Sequence, residues 1–571
     1  MKKLFRIVSL SLTLSLMLII GVRVVSAQEG STIVIGWEQE PSLLSPVSDM
    51  AFASYLANFY QRDIVAYYGN NAEITPVMIT EIPTVENGAV VSTESGSTQV
   101  TYILRSGMLW SDGTPITTAD CALGHRLFTD ETTGGFQRGT YLEQVDTFEV
   151  VDDTTFVVTY KGPFPDYLVD ATPTCAWPAH VIAPLLDSGL KLEEMEFMAP
   201  AGVAGFVGYG PYVFSEWNVG QQVTFTRNSN WGINEWEQAP AIDTVVTRFI
   251  TDTAQMRNAL EVGDIDLAFN WSVDQAGAYN ALTDVTTWST PGVFQDALWL
   301  NSLPINSSPA SQAMADVNVR MALVHALDRQ KYITTLLDPD GTLGITVPAN
   351  YIHPNWVPDD VQALAYDPDL ALDLFADAGW TDTDGDGLLD DGAGNPFILR
   401  GYTTTAQIRL DFYTLIQADL AEIGVSLQFF GVPATVLFAD FEQRGIISTG
   451  DFDMTVFALS FDPLSPNLGD LYWFGCDKIR IPGGGNGYGF CNPEFDALAE
   501  PIATTVDAAA REELYFSASR LLSEGQFWHG LFPRNTFYAV NSAKFNPDSM
   551  LEMGVLTGNY FNRVEFWTPA S

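Results

Sequence analysis

Positive charge is scarce in this sequence. Lysine and arginine together number 26 against 70 aspartates and glutamates, and only seven of the 26 are lysine, so the formal net charge is −44. No basic stripe runs along any segment. That excludes a nucleic-acid binder, which must neutralise phosphates, and argues against docking to an anionic membrane surface. The acidity reads as a solubility feature of a protein outside the cell. Histidine is scarce too: His125, His180, His325, His353 and His529 lie far apart and form no ligand pair. There is no HExxH, no GxxxxGK[ST] and no GxSxG, and the glycines of GGGNGYG (483–489) fail the dinucleotide spacing. A secreted glycosidase would need a pair of carboxylates, and nothing singles out a pair among the 70 acids. The reading is a protein that is not an enzyme. Beyond the first residues, no apolar run approaches the roughly 18 residues that a membrane span requires.

What is abundant is core material. Hydrophobic residues make up 47% of the chain, with 35 Phe, 21 Tyr and 14 Trp, which excludes a disordered protein. At 571 residues the chain is long enough for roughly two to four domains. Lys2, Lys3 and Arg6 precede an apolar run, and Val25-Ser26-Ala27 offers small residues for cleavage. Residues 1–27 therefore read as a secretory signal peptide, with an uncleaved anchor as the alternative. No cysteine follows the cleavage site to carry a lipid. The expected location is periplasmic, extracellular or at the cell surface.

Export changes the meaning of the four cysteines, because an oxidising compartment favours disulfides. Cys476 and Cys491 bracket a glycine-rich loop that can double back, so they are paired. Cys121 with Cys175 follows by elimination. Zinc is a poor rival without a CxxC or a neighbouring histidine.

Periodicity gives the elements. TIVIGW reads as a strand and 51–60 as an amphipathic helix. Residues 99–105 alternate as a strand, 118–128 start like a helix, and 148–160 and 205–228 look like hairpins. Helices are expected at 253–261, 316–337, 368–378, 406–423 and 508–523, with strands at 425–430 and 452–459 and an apolar run at 527–540. Strands alternate with helices in both halves, so the fold class is α/β with mixed sheets.

Six segments, in order, resemble the extracellular solute-binding proteins that feed peptide, dipeptide and nickel ABC importers (family 5). They are LRSGMLWSDGTPITTADC (104–121), the stretch 208–231, IDTVVTRFITDTAQMRNALEVGDIDL (242–267), VRMALVHALDRQKYI (319–333), YDPDLALDLFADAGW (366–380) and LIQADLAEIGVSLQ (415–428). The resemblance implies a two-lobed periplasmic-binding-protein fold of type II, with an extra small domain and a hinge. Lobe I would comprise 28–75, 201–295 and 530–571, the extra domain 76–200, and lobe II 296–529. It also implies a monomer that takes a peptide or other small solute and meets ABC permease subunits. Two departures stand out. Members usually carry a lipid-attached cysteine, and dipeptide-binding members place a carboxylate-binding arginine in a loop that here reads GYTTTAQ, with no arginine before Arg409.

Peptide-binding members use an aspartate at the position of Asp462 to receive the ligand's α-ammonium. A carboxylate at a strand end suits such charge-assisted hydrogen bonds, worth about 1.5–3 kcal/mol; the alternative is a cap on the turn before Pro463. Phe461 and Trp271 are candidates to wall an apolar cleft, unless they belong to the core. Glu38 and Gln39 follow the first strand and are candidate cleft residues. Trp110 and Trp231 read as packing. The run DTDGDGLLDD places Asp382, Asp384, Asp386 and Asp390 at positions 1, 3, 5 and 9 of a calcium loop, with Gly387 at 6. Position 12 is Ala393, so the bidentate ligand is missing; the alternative is a solvated turn, and no other cofactor is expected. Oligosaccharide is the rival ligand within the fold, because aromatic faces stack on sugars. Nickel is less favoured without a placed histidine.

Overall fold

The computed structural model describes residues 31–38, 40, 51–68, 73–133, 139–169, 171–270, 276–341, 343–349, 357–439, 441–460, 474–482, 484–551 and 560–570. Strands β1 (Thr32–Trp37), β2 (Val65–Tyr68) and β3 (Glu73–Pro76) come first. Next, β4 (Val90–Ser92), β5 (Thr98–Ile103), β6 (Val145–Val150) and β7 (Thr155–Tyr160) form an antiparallel sheet ordered β4-β5-β7-β6. Then come β8 (Tyr212–Asn218), β9 (Gln222–Arg227), β10 (Thr244–Phe249), β11 (Leu267–Asn270) and β12 (Val285–Leu300). The last are β13 (Ile398–Thr404), β14 (Ser426–Val432), β15 (Met454–Ser460) and β16 (Trp528–Asn541).

Ten of these strands make one sheet in the order β14-β13-β15-β12-β16-β11-β1-β10-β9-β8. It holds two parallel zones, β14-β13-β15 and β11-β1-β10. Between them lie the two longest strands, β12 and β16, antiparallel to each other and to their outer neighbours. β16 is buried over most of its length, eleven of its fourteen residues, with the break at Pro533-Arg534. One core, with Trp37, Phe269 and Phe561, packs under β1 and β11; another, with Leu298, Leu323, Phe412 and Met454, spans the β12–β15 side. The small sheet has its own core of Val100, Tyr102, Phe156 and Val158, which also takes up Trp110 and Trp231.

Local signals explain most boundaries. In the helix Thr118–Thr129 the Thr117 hydroxyl and the Asp120 carboxylate form a capping box. The helix Thr253–Val262 starts on the Asp252 cap, 2.7 Å from the Gln255 amide, and ends at Gly263 with φ 79°. One expectation is corrected. Residues 316–337 form two helices, Val317–His325 and Arg329–Leu336. Asp328 separates them: its side chain accepts from the Lys331 amide, and its own N–H donates to Asp419 Oδ2 at 2.9 Å. A cap with both bonds satisfied outweighs the continuous apolar periodicity.

The cysteines pair Cys121 with Cys175 and Cys476 with Cys491. The first bridge needs close approach: a Cβ on Gly124 would stand 2.1 Å from the Thr174 carbonyl oxygen. Its sequence separation is 54 residues. In the chain-entropy model, replacing both Cys121 and Cys175 by serine should cost about 4 kcal/mol, read as a lower urea midpoint.

His529, on β16, is fully buried, and burial together with Arg329 pushes its pKa well below the usual value; Arg320 and His325 act in the same direction. The imidazole is neutral in the fold and titrates near 6.5 once unfolded. Below that pH the unfolded chain binds the extra proton. Stability should therefore be fully present above about pH 6.5 and fall beneath it by up to about 1.4 kcal/mol per pH unit. His529→Leu should flatten the slope between pH 7.5 and 5.5 in denaturant titrations. An unchanged slope would show that other groups set it.

Candidate functional site

The crevice follows from strand direction. β11 ends at Asn270, opposite Phe537 of β16, and Phe537 in turn faces Ser289 of β12. β15 runs the other way and ends at Ser460, opposite Phe294 of β12. The carboxyl ends of the two parallel zones thus point toward each other, across a gap at the level of residues 289–294. Among the described residues, only β12 and β16 bridge it within the sheet. Ligands of open α/β sheets bind outside carboxyl ends. Here two such ends share one crevice.

The bridging strands are irregular at this level. Their register shifts between Pro291 and Gln295 and again between Asp296 and Ala297. On the β16 side, Asn535 Nδ2 donates to Ser289 Oγ at 3.0 Å, and Thr290 Oγ1 pairs with the Tyr560 hydroxyl at 2.9 Å. Asp296 is buried, with 1% of its side chain exposed, and holds two guanidinium groups. Arg409 Nε donates to Oδ1 at 2.9 Å and Arg534 Nε to Oδ2 at 2.6 Å. Arg409, in the first turn of the helix Gln407–Glu422, also donates from Nη1 to Thr404 Oγ1 at the end of β13. It is 10% exposed, whereas Arg534 is 42% exposed and lies over the Phe294 ring, 5.8 Å from its centroid. Phe294, Phe430 and Phe438 are exposed near these ends, and Phe430 leans on Tyr402 at 5.4 Å.

Glu38 follows β1 directly, at a carboxyl end of the β11-β1-β10 zone, and is half-buried. Two residues on, Glu40 accepts from Trp217 Nε1 and the Gly220 amide, which ties down the segment after β1. Gln39, Trp271, Phe461 and Asp462 lie outside the described residues. Trp110 and Trp231 are buried in the small-sheet core. Arg409, the first arginine after the GYTTTAQ loop, is committed to Asp296.

In the acidic turn, carboxylate oxygens of Asp382, Asp384 and Asp390 lie within 4.8 Å of one another, and Asp386 is not part of that group. The turn already uses its own carboxylates. Asp382 accepts from the amides of Gly385 and Gly387, Asp386 from Leu388, and Asp390 from the hydroxyl and amide of Thr383. Those Thr383 bonds hold the Asp390 carboxyl below its usual range. The turn lies beside Trp380 and Gly424 in a surface groove formed partly by the helix Pro368–Asp377.

Sequence reasoning missed Asp296, Arg534 and Phe294. A signal was present: Pro533-Arg534 interrupts an apolar run, and Asp296 opens another. Charges inside buried strands need partners.

No helix among the described residues is long and apolar enough to cross a membrane. Residues 73–479 match the model of bacterial extracellular solute-binding proteins, family 5 Middle. The oligopeptide-binding protein AppA of Bacillus subtilis is 25% identical over 522 residues, covering 90% of this chain and 88% of that protein. The structure of that AppA with a nonapeptide superposes with a TM-score of 0.63 at 22% identity, covering 95% of this chain and 99% of the other. NikA of Brucella suis in complex with Fe(III)-EDTA gives a TM-score of 0.71 at 20% identity, covering 94% and 99%. The chain belongs to the bacterial extracellular solute-binding proteins of family 5.

Proposed function

We propose that this protein captures peptides in the crevice between its two halves and delivers them to the permease subunits of an ABC importer. The observation that carries the reading is the convergence of two sets of strand carboxyl ends on a gap bridged by β12 and β16. Relatives named as oligopeptide-binding proteins supply the ligand class. The halves correspond to lobe I, built from 28–75, 201–295 and 530–571 with the extra domain 76–200, and lobe II, 296–529. β12 and β16 are the hinge, and their register shifts give it compliance. The protein acts as a monomer outside the cytoplasm after loss of residues 1–27, and it binds its ligand without transforming it. Supplied peptide should come back intact.

Asp462 follows β15 by two residues in sequence, and it is the group assigned to the peptide's α-ammonium, with Phe461 and Trp271 as apolar walls and Glu38 and Gln39 at the rim. Saturating peptide should shrink the radius of gyration in solution scattering; an unchanged profile rejects the hinge. Asp462→Ala should weaken peptide binding by about 2–5 kcal/mol, because the ligand's cation is left without a partner in a desolvated crevice. At 1.4 kcal/mol per decade, that is roughly thirty-fold to several thousand-fold. N-acetylated peptide should lose as much on the native protein and little more on the variant. Additive losses in this calorimetric cycle would mean that the two groups do not meet, and would favour an uncharged ligand such as an oligosaccharide.

A further inference from the structure

The central strand β16 has fourteen residues, and in its burial pattern Arg534 is the single exposed one. An arginine there is costly to keep for packing alone, since leucine or valine would close the strand without a charge. Among the described residues, that charge is only partly compensated. Asp296 has two oxygens, one taken by Arg409 and one by Arg534, so a single negative charge faces two positive ones. Arg534 spends only Nε on this bond. Among the described residues neither of its terminal nitrogens has a hydrogen-bond partner. The Phe294 ring beneath it holds the plane of the guanidinium by cation–π contact, and Asp296 fixes its root. A planar fork whose two terminal nitrogens have no partner among the described residues, at the level of the gap between the two sets of strand ends, matches a carboxylate. In a chain of net charge −44, such a site also makes the gap locally attractive to an anion that the rest of the surface repels.

We propose that Arg534 is the carboxylate receptor of this protein, binding a carboxylate of the peptide through Nη1 and Nη2 while Asp296 and Phe294 hold it in place. The proposal rests on the peptide-binding reading and adds a requirement to it: the ligand must present an anionic group at the hinge. Its position differs from the GYTTTAQ loop, which has no arginine. Arg409 cannot take the role, because it is buried and committed to Asp296 and Thr404.

The carboxylate could come from the peptide's C-terminus or from an acidic side chain, and calorimetry with three ligands separates these sources. The ligands are a tight-binding peptide as free acid, its C-terminal amide, and the same peptide with Asp and Glu replaced by Asn and Gln. Arg534→Gln should weaken the free acid roughly ten- to hundred-fold, the scale of a charge-assisted pair. Whichever ligand lacks the recognised carboxylate should bind the native protein more weakly by a similar factor, with little further loss on Arg534→Gln. Arg534→Lys should recover part of the affinity, since it keeps the charge and loses the fork. A melting temperature within a few degrees of the native value will show that the variant is folded. Unchanged affinity of Arg534→Gln for all three ligands would overturn the proposal and leave peptide binding intact. Failure of the native protein to bind any peptide would instead reject the function, and this proposal with it.

Discussion

Asp296→Ala should cost about 3–5 kcal/mol of folding stability, a large share of what a typical domain possesses. The reason is asymmetry between its two partners. Arg534 is 42% exposed and can turn to water when the carboxylate goes. Arg409 cannot: it is 10% exposed, and its remaining bond is to the Thr404 hydroxyl. A buried guanidinium without its carboxylate keeps its desolvation cost and loses its compensation. Three variants should therefore rank in a fixed order in urea titrations, with Asp296→Ala the most damaging, Arg409→Ala next and Arg534→Ala least. Arg409→Met combined with Asp296→Leu should regain much of the loss, because apolar groups of similar volume replace a pair that had been expensive to bury. Equal losses from Arg409→Ala and Arg534→Ala would contradict this reading, since exposure would then not decide the cost. Ligand binding by Asp296→Ala should also weaken, because the root of Arg534 is released.

Much of the fold was legible in the sequence because its signals are local. TIVIGW gives β1, and the Asp252 cap with Gly263 at positive φ bounds a helix from end to end. The hairpins β6–β7 and β8–β9 show the expected alternation and turn residues. Where a local signal competed with a tertiary one, sequence reasoning failed. The apolar spacing of residues 316–337 runs through Ala326–Leu327, while the break at Asp328 depends on Asp419, 91 residues away. The site was less legible for the same reason. Asp296 and Arg534 are 238 residues apart, and neither falls in a recognisable motif. Each looks like an isolated charge until sheet order brings β12 beside β16. The calcium spacing is the converse case. The pattern is local and clear, and it brings carboxylate oxygens of Asp382, Asp384 and Asp390 within 4.8 Å of one another, while Asp386 stays outside that group.

Arg511→Ala should have the second large effect, and it should be felt in ligand binding as much as in folding. Arg511 lies on the helix Ala508–Glu524, which packs on the core of Trp299, Phe490 and Phe527. Its partner Asp166 lies beyond β7, in the segment whose neighbours Phe164 and Leu168 belong to the small-sheet core. The pair is bidentate at 2.5 and 2.6 Å, both side chains are 7% exposed, and Nε adds a bond to the Ile502 carbonyl at 3.0 Å. By the proposed boundaries it joins the extra domain to lobe II. Opening of the hinge should then separate the pair and hydrate both charges. If the variant stays closed, Asp166 remains buried without its cation, at a cost of about 3–5 kcal/mol. If it opens, most of that cost disappears from the folding equilibrium and returns as weaker ligand affinity and a larger radius of gyration, since closure has lost a contact specific to it. High salt should not mimic the variant, because a buried pair is poorly screened. The double variant Asp166→Leu/Arg511→Met separates the two effects. Apolar replacement should restore stability, and by covering apolar surface only when closed it should hold the halves together without ligand. Solution scattering on the native protein, Arg511→Ala and the double variant, each with and without peptide, reads the outcome. Identical radii for all three without ligand would show that the pair does not report on closure and that the hinge lies elsewhere.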